Sequence, residues 1–492
     1  MAALHSRYNP QAEAERYLAA LSIPPEIRCF ILIEPGLGYM IPILSRRFPG
    51  ARIMVLRVSA PRDGAPVQDG DAVYWDPGTG TTAEDFLGQE LDNLAEGENS
   101  AGKDFGPEAV KIIEWRPSLN LYGDSYVRLL AAAAAALRRF DAERRTLRAF
   151  GRRWFRNFFR NLRIFRRFPV YSLREEPVLI TGAGPSLEGS LPLIAELRQN
   201  CFIIAASSSA QALLRRNILP DLVLSTDGGG WALLHLYELF RRNGSAWPEG
   251  QGRELAASCT ANLPSQCGNL PVLAIADGSL WQGLVLRGLG IPHLVLPQRG
   301  TVTAAAIDLA LALGRGKVII AGVDLDIPDI RTHVRPYAFD RLEWEGASRI
   351  QPEYGRRFFR STALREGGSH RIYAEWFAAR LASYPGRLYT LGDNNRLFEG
   401  LPRITVRDAA PAGKAASGGF HEQRPLKDAP GLALGILEAA LEDERTRETL
   451  AGELAPLIFP GGPRPRRAEL RAGIESIIRP YLLSSGSVRS YG

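Results

Sequence analysis

The segment Val178-Leu-Ile-Thr-Gly-Ala-Gly-Pro-Ser-Leu187 indicates the architecture of the central part of this 492-residue chain. Its apolar and β-branched start predicts a buried strand that ends at Thr181, and a glycine-rich turn then leads into a predicted helix. Gly182 and Gly184 allow a backbone to approach phosphate oxygens, and Ser186 adds a hydroxyl donor. We therefore expect an anion-binding loop here. An ordinary strand-to-helix turn is the alternative.

Short apolar segments of the same kind recur on both sides of helical stretches. Together with 177–180, the predicted strands are 201–205, 222–225, 272–275 and 318–321. Alternating strands and helices of these lengths are typical of an open, mostly parallel sheet with helices on both faces. The sequence therefore predicts an α/β fold for a central domain over 177–405.

The rest of the chain predicts smaller parts around that domain. The predicted organisation is an N-terminal α/β domain over 1–124, an Arg/aromatic helical connector over 125–176, a linker over 406–430 and a helical C-terminal domain over 431–492. The N-terminal domain has its own buried strands, 29–33 and 51–56, which favours a second, smaller parallel sheet.

The connector carries twelve arginines between 138 and 167, interleaved with aromatic residues. An amphipathic helix with a solvated arginine face is the simplest interpretation. Binding of an acidic protein or a membrane surface, or lining of an anionic substrate site, are the alternatives.

Composition limits the partners and the compartment. The chain has a net charge of +7, but its basic residues are almost all arginine and no nucleic-acid-binding signature accompanies them, so we expect no nucleic-acid partner. Four cysteines without a CxxC pair suit a reducing compartment. Neither a signal peptide nor an apolar run of about 20 residues is present, which predicts a cytoplasmic protein with no integral membrane segment.

Known phosphate motifs fit the central loop poorly. Leu187 stands where a dinucleotide fingerprint has its third glycine, and the next strand ends in Ala206-Ser-Ser-Ser209 without a carboxylate for a ribose. The chain also lacks the GxxxxGK[ST] pattern of P-loop enzymes. The sequence therefore disfavours NAD binding and P-loop chemistry.

Polar residues follow the later strands, where parallel sheets bind ligands. Ser207 and Ser208 suit a sugar, ribose or phosphate, although a helix cap explains them equally well. Asp227 ends a strand before three glycines and suits ribose hydroxyls or a metal. Thr301 and Thr303 open an apolar helix and are either anion ligands or caps.

Asp324 and Asp326 follow the strand at 318–321 with the spacing Asp-x-Asp. Two carboxylates so placed either hold a divalent ion that bridges a diphosphate or cap the next turn. His333 lies in a polar stretch nearby, and an imidazole of ordinary pKa can serve as the base for a hydroxyl acceptor. No firmly bound cofactor is predicted; a divalent cation is the one cofactor left open.

Several motifs occur in one order that resembles the motility-associated factor (Maf) family. They are Gly182-Ala-Gly-Pro-Ser-Leu187, Pro220-Asp221 before the strand that leads to Asp227, Gly300-Thr-Val-Thr303 and Gly322-Val-Asp-Leu325. Ser6–Pro10, Gly36–Tyr39 and Trp154–Asn157 resemble the same family, so the resemblance covers most of residues 1–400.

The resemblance implies a flagellin glycosyltransferase. Its members are thought to transfer a nonulosonic acid, pseudaminic or legionaminic acid, from a CMP-activated donor to Ser or Thr of flagellin. The central domain of the family has a Rossmann-like sheet similar to bacterial sialyltransferases and to 6-hydroxymethylpterin diphosphokinase. A diphosphokinase-type transfer from ATP to a small acceptor, or a non-catalytic flagellin-binding or chaperone-like protein, are therefore the alternatives.

The resemblance also implies roles for individual residues. Gly182, Gly184, Pro185, Ser186 and Leu187 would surround the nucleotide phosphate, while Ser207, Ser208 and Asp227 would meet the ribose or sugar. His333 would be the base and Asp324 a catalytic carboxylate. Two departures are seen: Thr301-Val-Thr303 stands where the family usually has Ser-Val, and Asp326 replaces a small residue, which leaves metal use open.

Overall fold

A computed structural model describes residues 4–59, 72–100, 105–169, 175–240, 254–324, 330–366, 377, 386–391, 401–409, 420–422, 428–460 and 465–482. The chain forms two compact units. Unit 1 comprises Met1–Arg152 and Glu444–Gly473, and unit 2 comprises Arg153–Asp443 and Ile474–Gly492. The C-terminal helical segment thus contributes residues to both units.

Each unit is built on a parallel sheet. Unit 1 has the strand order β3-β2-β1-β4, and unit 2 has the order β11-β10-β9-β8-β7-β6-β12-β13. The strands are β1 (Cys29–Ile33), β2 (Arg52–Leu56), β3 (Ala72–Trp75), β4 (Val110–Glu114), β5 (Arg167–Pro169), β6 (Val178–Thr181), β7 (Phe202–Ala206), β8 (Leu222–Ser225), β9 (Leu255–Ser258), β10 (Val272–Ala276), β11 (His293–Val295), β12 (Val318–Ala321), β13 (Leu388–Thr390) and β14 (Phe420–Glu422). A short antiparallel pair, β5 and β14, stands apart from both sheets.

Helices connect these strands. They are α1 (Pro10–Ala20), α2 (Met40–Arg47), α3 (Ala83–Ser100), α4 (Arg116–Tyr122), α5 (Asp124–Asn161), α6 (Leu187–Leu197), α7 (Ser207–Leu214), α8 (Ala232–Phe240), α9 (Leu280–Gly288), α10 (Val302–Leu313), α11 (Asp340–Glu345), α12 (Glu353–Glu366), α13 (Val406–Ala409), α14 (Ala429–Glu442), α15 (Arg447–Ile458) and α16 (Arg467–Leu482). The α/β class and the mostly parallel central sheet are confirmed.

Strand β6 is an interior strand of the large sheet. Both faces of its apolar run are buried, as expected for a strand with helices on both sides. Its neighbours are β7 on one side and β12 on the other, and both pairs are parallel. The chain leaves β6 toward β7 and returns on the opposite side through β12. The loops after β6 and β12 therefore diverge at a switch point, where open α/β sheets bind ligands.

The end of α5 packs by its aromatic side. Phe155, Phe158 and Phe159 are fully buried, and the rings of Phe155 and Phe158 lie 5.3 and 4.6 Å from Trp281. These aromatic residues belong to the core of unit 2, while Arg156 on the same helix is exposed. The amphipathic-helix interpretation accounts for this part of the connector.

Two asparagines in the same stretch hold loops at the carboxyl edge of the large sheet. The Asn157 amide donates to the carbonyl oxygens of Gly228 and Thr260 at 3.0 and 3.1 Å. The Asn161 amide donates to those of Cys259 and Ala261 at 3.0 and 2.7 Å. The loops after β8 and β9 are thereby fixed from one side of the helix.

We expect Asn161→Ala to lower the free energy of unfolding by about 2–4 kcal/mol, because it leaves two buried carbonyl groups unpaired. Urea or thermal unfolding measures the loss. The exposed Arg156→Ala on the same helix is the control, with a change within about 0.5 kcal/mol. Equal effects of the two substitutions would contradict a stabilising role for the hydrogen bonds that Asn161 donates.

Candidate functional site

The loops after β6 and β12 are joined by backbone hydrogen bonds. The amide of Gly182 donates to Ala321 O at 2.8 Å, and that of Gly184 donates to Gly322 O at 2.7 Å. Gly322 adopts a φ of 68°, which glycine adopts without strain. The predicted glycine loop and the Gly322–Asp324 segment are therefore one continuous structure at the switch point.

This contact explains why residues 182 and 184 are glycines. A Cβ on Gly182 would lie 2.5 Å from Gly322 O, and one on Gly184 would lie 2.5 Å from Asp324 Oδ2. A Cβ atom cannot lie this close to an oxygen atom unless the neighbouring loop shifts. Close packing of the second loop requires both glycines, so they do not by themselves indicate a phosphate.

The carboxylate of Asp324 lies at the N-terminus of α6, against Ser186. This carboxylate accepts a hydrogen bond of 2.8 Å from the Ser186 amide and another from Ser186 Oγ, and the residue is only 8% exposed. A carboxylate is favoured there because the N-terminus of a helix offers unpaired amides and a positive dipole. Asp324 thus sits where an anionic ligand of this loop would sit.

The predicted metal pair is described only in part. Asp326 lies outside the described residues, together with Pro328 and Asp329. Among the residues that the structure describes, no three His, Cys, Asp or Glu side chains form a group able to hold a metal ion. Each of the two Asp324 carboxylate oxygens accepts one hydrogen bond from Ser186.

His333 lies beside the glycine loop. The amide of Val334 donates to Ala183 O at 2.8 Å, which ties the histidine segment to the loop. The Nδ1 atom of His333 is 2.8 Å from Thr332 Oγ1, and its ring stacks on Tyr337 with 4.0 Å between centroids. The imidazole is therefore oriented on one edge and supported on one face.

Glu188, in the first turn of α6, also holds this segment. One carboxylate oxygen accepts a hydrogen bond of 3.1 Å from the Arg335 amide, and the other lies 3.5 Å from the guanidinium of Arg331. The helix that begins at the glycine loop thus positions residues on both sides of His333.

A second histidine at this site was missed from the sequence. His235 on α8 packs against Tyr337 and Phe339, with its Nε2 atom 3.5 Å from the Tyr337 hydroxyl. Burial lowers the pKa of His235 to about 4, although the nearby Asp227 carboxylate raises it. The imidazole is therefore neutral at pH 7. No local sequence pattern indicates that His235 packs against Tyr337, because Tyr337 lies 102 residues further along the chain.

The lowered pKa of His235 predicts a specific loss of stability in acid. The unfolded chain protonates this group near pH 6.5 and the folded chain only near pH 4, so stability falls as the pH drops between those values. The loss attributable to His235 is about 3 kcal/mol. Unfolding measured from pH 7 to pH 4 should show a shallower decline in His235→Gln. An unchanged slope would contradict the assignment.

The other predicted residues lie at the same edge of the sheet. Asp227 is exposed, and its Oδ1 accepts a hydrogen bond of 2.7 Å from the Gly229 amide. Ser207 and Ser208 begin α7 directly after β7. Thr301 caps α10 by accepting from the Ala304 amide at 3.1 Å.

These residues are connected to different degrees. The structure directly links Gly182, Gly184, Ser186, Asp324 and the His333 segment through hydrogen bonds. Pro185 and Leu187 belong to the same turn, and the Leu187 amide donates to Gly184 O. The Asp227 carboxylate raises the pKa of His235, and His235 in turn contacts Tyr337. Thr303 lies in the first turn of α10.

In the described part of the chain, no helix combines the length and the apolar character that crossing a bilayer requires.

Comparisons with known proteins found a family model, relatives and a solved structure. Residues 152–247 match the family model described as 6-hydroxymethylpterin diphosphokinase MptE-like. An uncharacterised protein of Treponema pallidum is 27% identical over 227 residues, which are 46% of this chain and 48% of that protein. The chain thus spans about half the length of this relative.

Two further matches are a solved structure and a second relative. A Maf glycosyltransferase structure from Magnetospirillum magneticum AMB-1 is 15% identical, with a TM-score of 0.49 over 96% of this chain and 77% of that one. A 6-hydroxymethyl-7,8-dihydropterin pyrophosphokinase of Methanothermobacter thermautotrophicus is 30% identical over 182 residues, 35% of this chain and 71% of the enzyme. The chain belongs to the 6-hydroxymethylpterin diphosphokinase MptE-like family.

Proposed function

We propose that the chain is a glycosyltransferase that moves a nonulosonic acid, pseudaminic or legionaminic acid, from a CMP-activated donor to Ser or Thr of flagellin. The observation that carries the proposal is the hydrogen bond from Val334 N to Ala183 O, which holds His333 against the glycine loop. In this proposal the donor phosphate binds at Ser186 and the acceptor hydroxyl meets His333, because transfer from a phosphate-linked donor to a hydroxyl requires a base beside the anion site.

The charge at the loop supports a donor with a single phosphate. Ser186 offers an amide and a hydroxyl, and the carboxylate of Asp324 accepts from both. A CMP-linked sugar carries one negative charge on its phosphodiester. Exchange of that phosphodiester for the Asp324 carboxylate at Ser186 leaves the local charge unchanged, and the sugar carboxylate of the donor adds one further negative charge. A triphosphate would bring several additional negative charges that need cations.

In the proposed reaction, His333 acts on the acceptor hydroxyl. We propose that its Nε2 takes the proton of the Ser or Thr hydroxyl while the hydroxyl oxygen bonds to the anomeric carbon of the sugar. The bond from that carbon to the phosphate oxygen breaks, and CMP leaves with both bonding electrons. Thr332, bonded to Nδ1, and Tyr337, stacked on the ring, orient the imidazole for this step.

The neighbouring aromatic residues suit the rest of the donor. Trp231 belongs to the same stretch of chain as Asp227 and is 70% exposed. Its ring lies 6.2 Å from that of Phe339. A flat aromatic surface beside a carboxylate can stack on a base or a sugar and accept hydrogen bonds from hydroxyl groups. We propose that Asp227 binds the ribose or sugar hydroxyls here.

The proposal is tested by the intact mass of flagellin co-expressed with this protein in a host that makes CMP-pseudaminic or CMP-legionaminic acid. A mass increment of one or more nonulosonic acids is the expected result. Unmodified flagellin with both donors would reject this donor class. The four cysteines are buried free thiols, which supports the cytoplasm as the compartment for this assay.

Diphosphate transfer from ATP to a small acceptor is the second candidate. The 30% identity with the archaeal pyrophosphokinase favours it. Release of AMP from ATP, dependent on 6-hydroxymethyl-7,8-dihydropterin, tests this activity in the purified chain. AMP release without flagellin modification would select the second candidate.

A further inference from the structure

Helices α11 and α12, with the turn between them, expose an unusual number of large apolar side chains. We call residues 340–359 the outer hairpin. Its exposed members are Leu342, Trp344, Ile350, Tyr354, Phe358 and Phe359, with exposed fractions between 41% and 92%. Isolated apolar residues on a surface are ordinary, whereas six large exposed ones within twenty residues favour an interaction surface.

The interior of the outer hairpin is ionic instead of apolar. The guanidinium of Arg357, which is 12% exposed, lies 2.7 Å from Glu353, 3.0 Å from Glu343 and 3.2 Å from Asp340. None of the six residues of α11, all of them described, is buried. Ion pairs hold the two helices together, so the aromatic side chains are not needed for the hairpin's own packing.

The charges of the hairpin favour a protein partner over a lipid surface. Four arginines (341, 349, 356 and 357) balance four acidic residues (340, 343, 345 and 353). An interfacial helix for anionic lipid carries a cationic excess, which is lacking here. Aromatic residues with arginine at their margin are the usual composition of protein–protein hot spots.

The outer hairpin is fixed to the segment that carries His333. The amide of Tyr337 donates to Asp340 Oδ2 at 2.9 Å, and Arg335 lies 4.0 Å from Glu353. A protein bound to the hairpin is therefore held next to the proposed base.

We propose that the outer hairpin binds the acceptor polypeptide, through an apolar surface of that polypeptide that covers Trp344 and Phe359. The identity of the partner as the acceptor rests on the proposed function. The apolar character of the contact follows from the hairpin itself. This contact supplies affinity for a protein substrate, since the proposed reaction site itself engages only the donor and one hydroxyl group of the acceptor.

The double variant Trp344→Ser/Phe359→Ser in the full chain tests the proposal. Val295→Ser/Leu432→Ser is the matched control, because both residues are exposed apolar side chains of the same unit, at 59% and 52%. The dissociation constant for purified flagellin monomer should rise at least ten-fold in the first variant and stay unchanged in the control. The KM for flagellin should rise with it, while kcat and hydrolysis of the CMP-sugar donor stay constant.

Equal affinity of the wild type and the hairpin variant for flagellin would overturn the proposal. So would hairpin-dependent sedimentation with phosphatidylglycerol-containing vesicles in a chain that does not bind flagellin. A ten-fold loss of flagellin affinity without sugar transfer by the wild type would uphold the binding surface and reject the glycosyltransferase instead.

Discussion

Replacing His333 with glutamine should reduce sugar transfer to flagellin by about 10²–10⁴-fold, because the variant has no group that accepts the hydroxyl proton. Glutamine is close to histidine in size and can still hydrogen-bond to Thr332, whose Oγ1 is 2.8 Å from the imidazole. Single-turnover transfer with saturating CMP-sugar measures the chemical step. Affinity for CMP should change little, since the donor is held by other residues.

His293→Gln is the matched control. That histidine lies in the edge strand β11, and its Nδ1 atom is 2.8 Å from Ile291 O. Transfer should be unaffected by this change. Wild-type transfer by His333→Gln would remove the base assignment while leaving the transferase proposal in place. Equal losses in the two variants would point to a general effect on folding.

The fold could be predicted from the sequence where strands are long and apolar. The segments at 201–205 and 222–225 are buried on both faces, so they appear as continuous apolar runs. Strand β9 was missed because Leu255-Ala-Ala-Ser258 has small side chains without β-branching. Strands β11 and β13 are three residues each, too short for any periodicity to show.

The candidate site was predictable as a set of loops but not as a set of contacts. The turn at 182–187 and the segment 322–324 each follow a predicted strand, so both belong to the carboxyl edge of the sheet. Their direct contact depends on β6 pairing with β12, and no local pattern encodes that order. The contact of Ser186 with Asp324, 138 residues apart, and the position of His235 follow from it.

This contact changes what the glycine pattern means. The sequence suggests that Gly182 and Gly184 leave room for phosphate oxygens, whereas in the structure a second loop takes that room. The donors that remain relevant for a ligand are those of Ser186, and Asp324 accepts from them. Packing constraints and ligand contacts select glycine for the same reason, the close approach of an oxygen atom, so only the structure separates the two.

A pair of glycine substitutions separates the two effects on the protein. Gly182→Ala should destabilise unit 2 by about 2–3 kcal/mol, because the new Cβ would meet Gly322 O at 2.5 Å and Val323 at 2.8 Å, and the backbone has to shift. Gly189→Ala, seven residues on in α6, meets no atom within 4 Å and should stabilise by about 0.5–1 kcal/mol, since alanine loses less backbone entropy in a helix.

Thermal unfolding of the two variants beside the wild type measures both signs in one experiment, and we expect flagellin modification to be lost only in Gly182→Ala. If the loop were an open anion cradle, alanine at 182 would be tolerated without ligand and would weaken only CMP binding. An unchanged melting temperature for Gly182→Ala would therefore reject the packed loop. A lowered melting temperature in both variants would show that α6 tolerates no added methyl group, which the open space around Gly189 argues against.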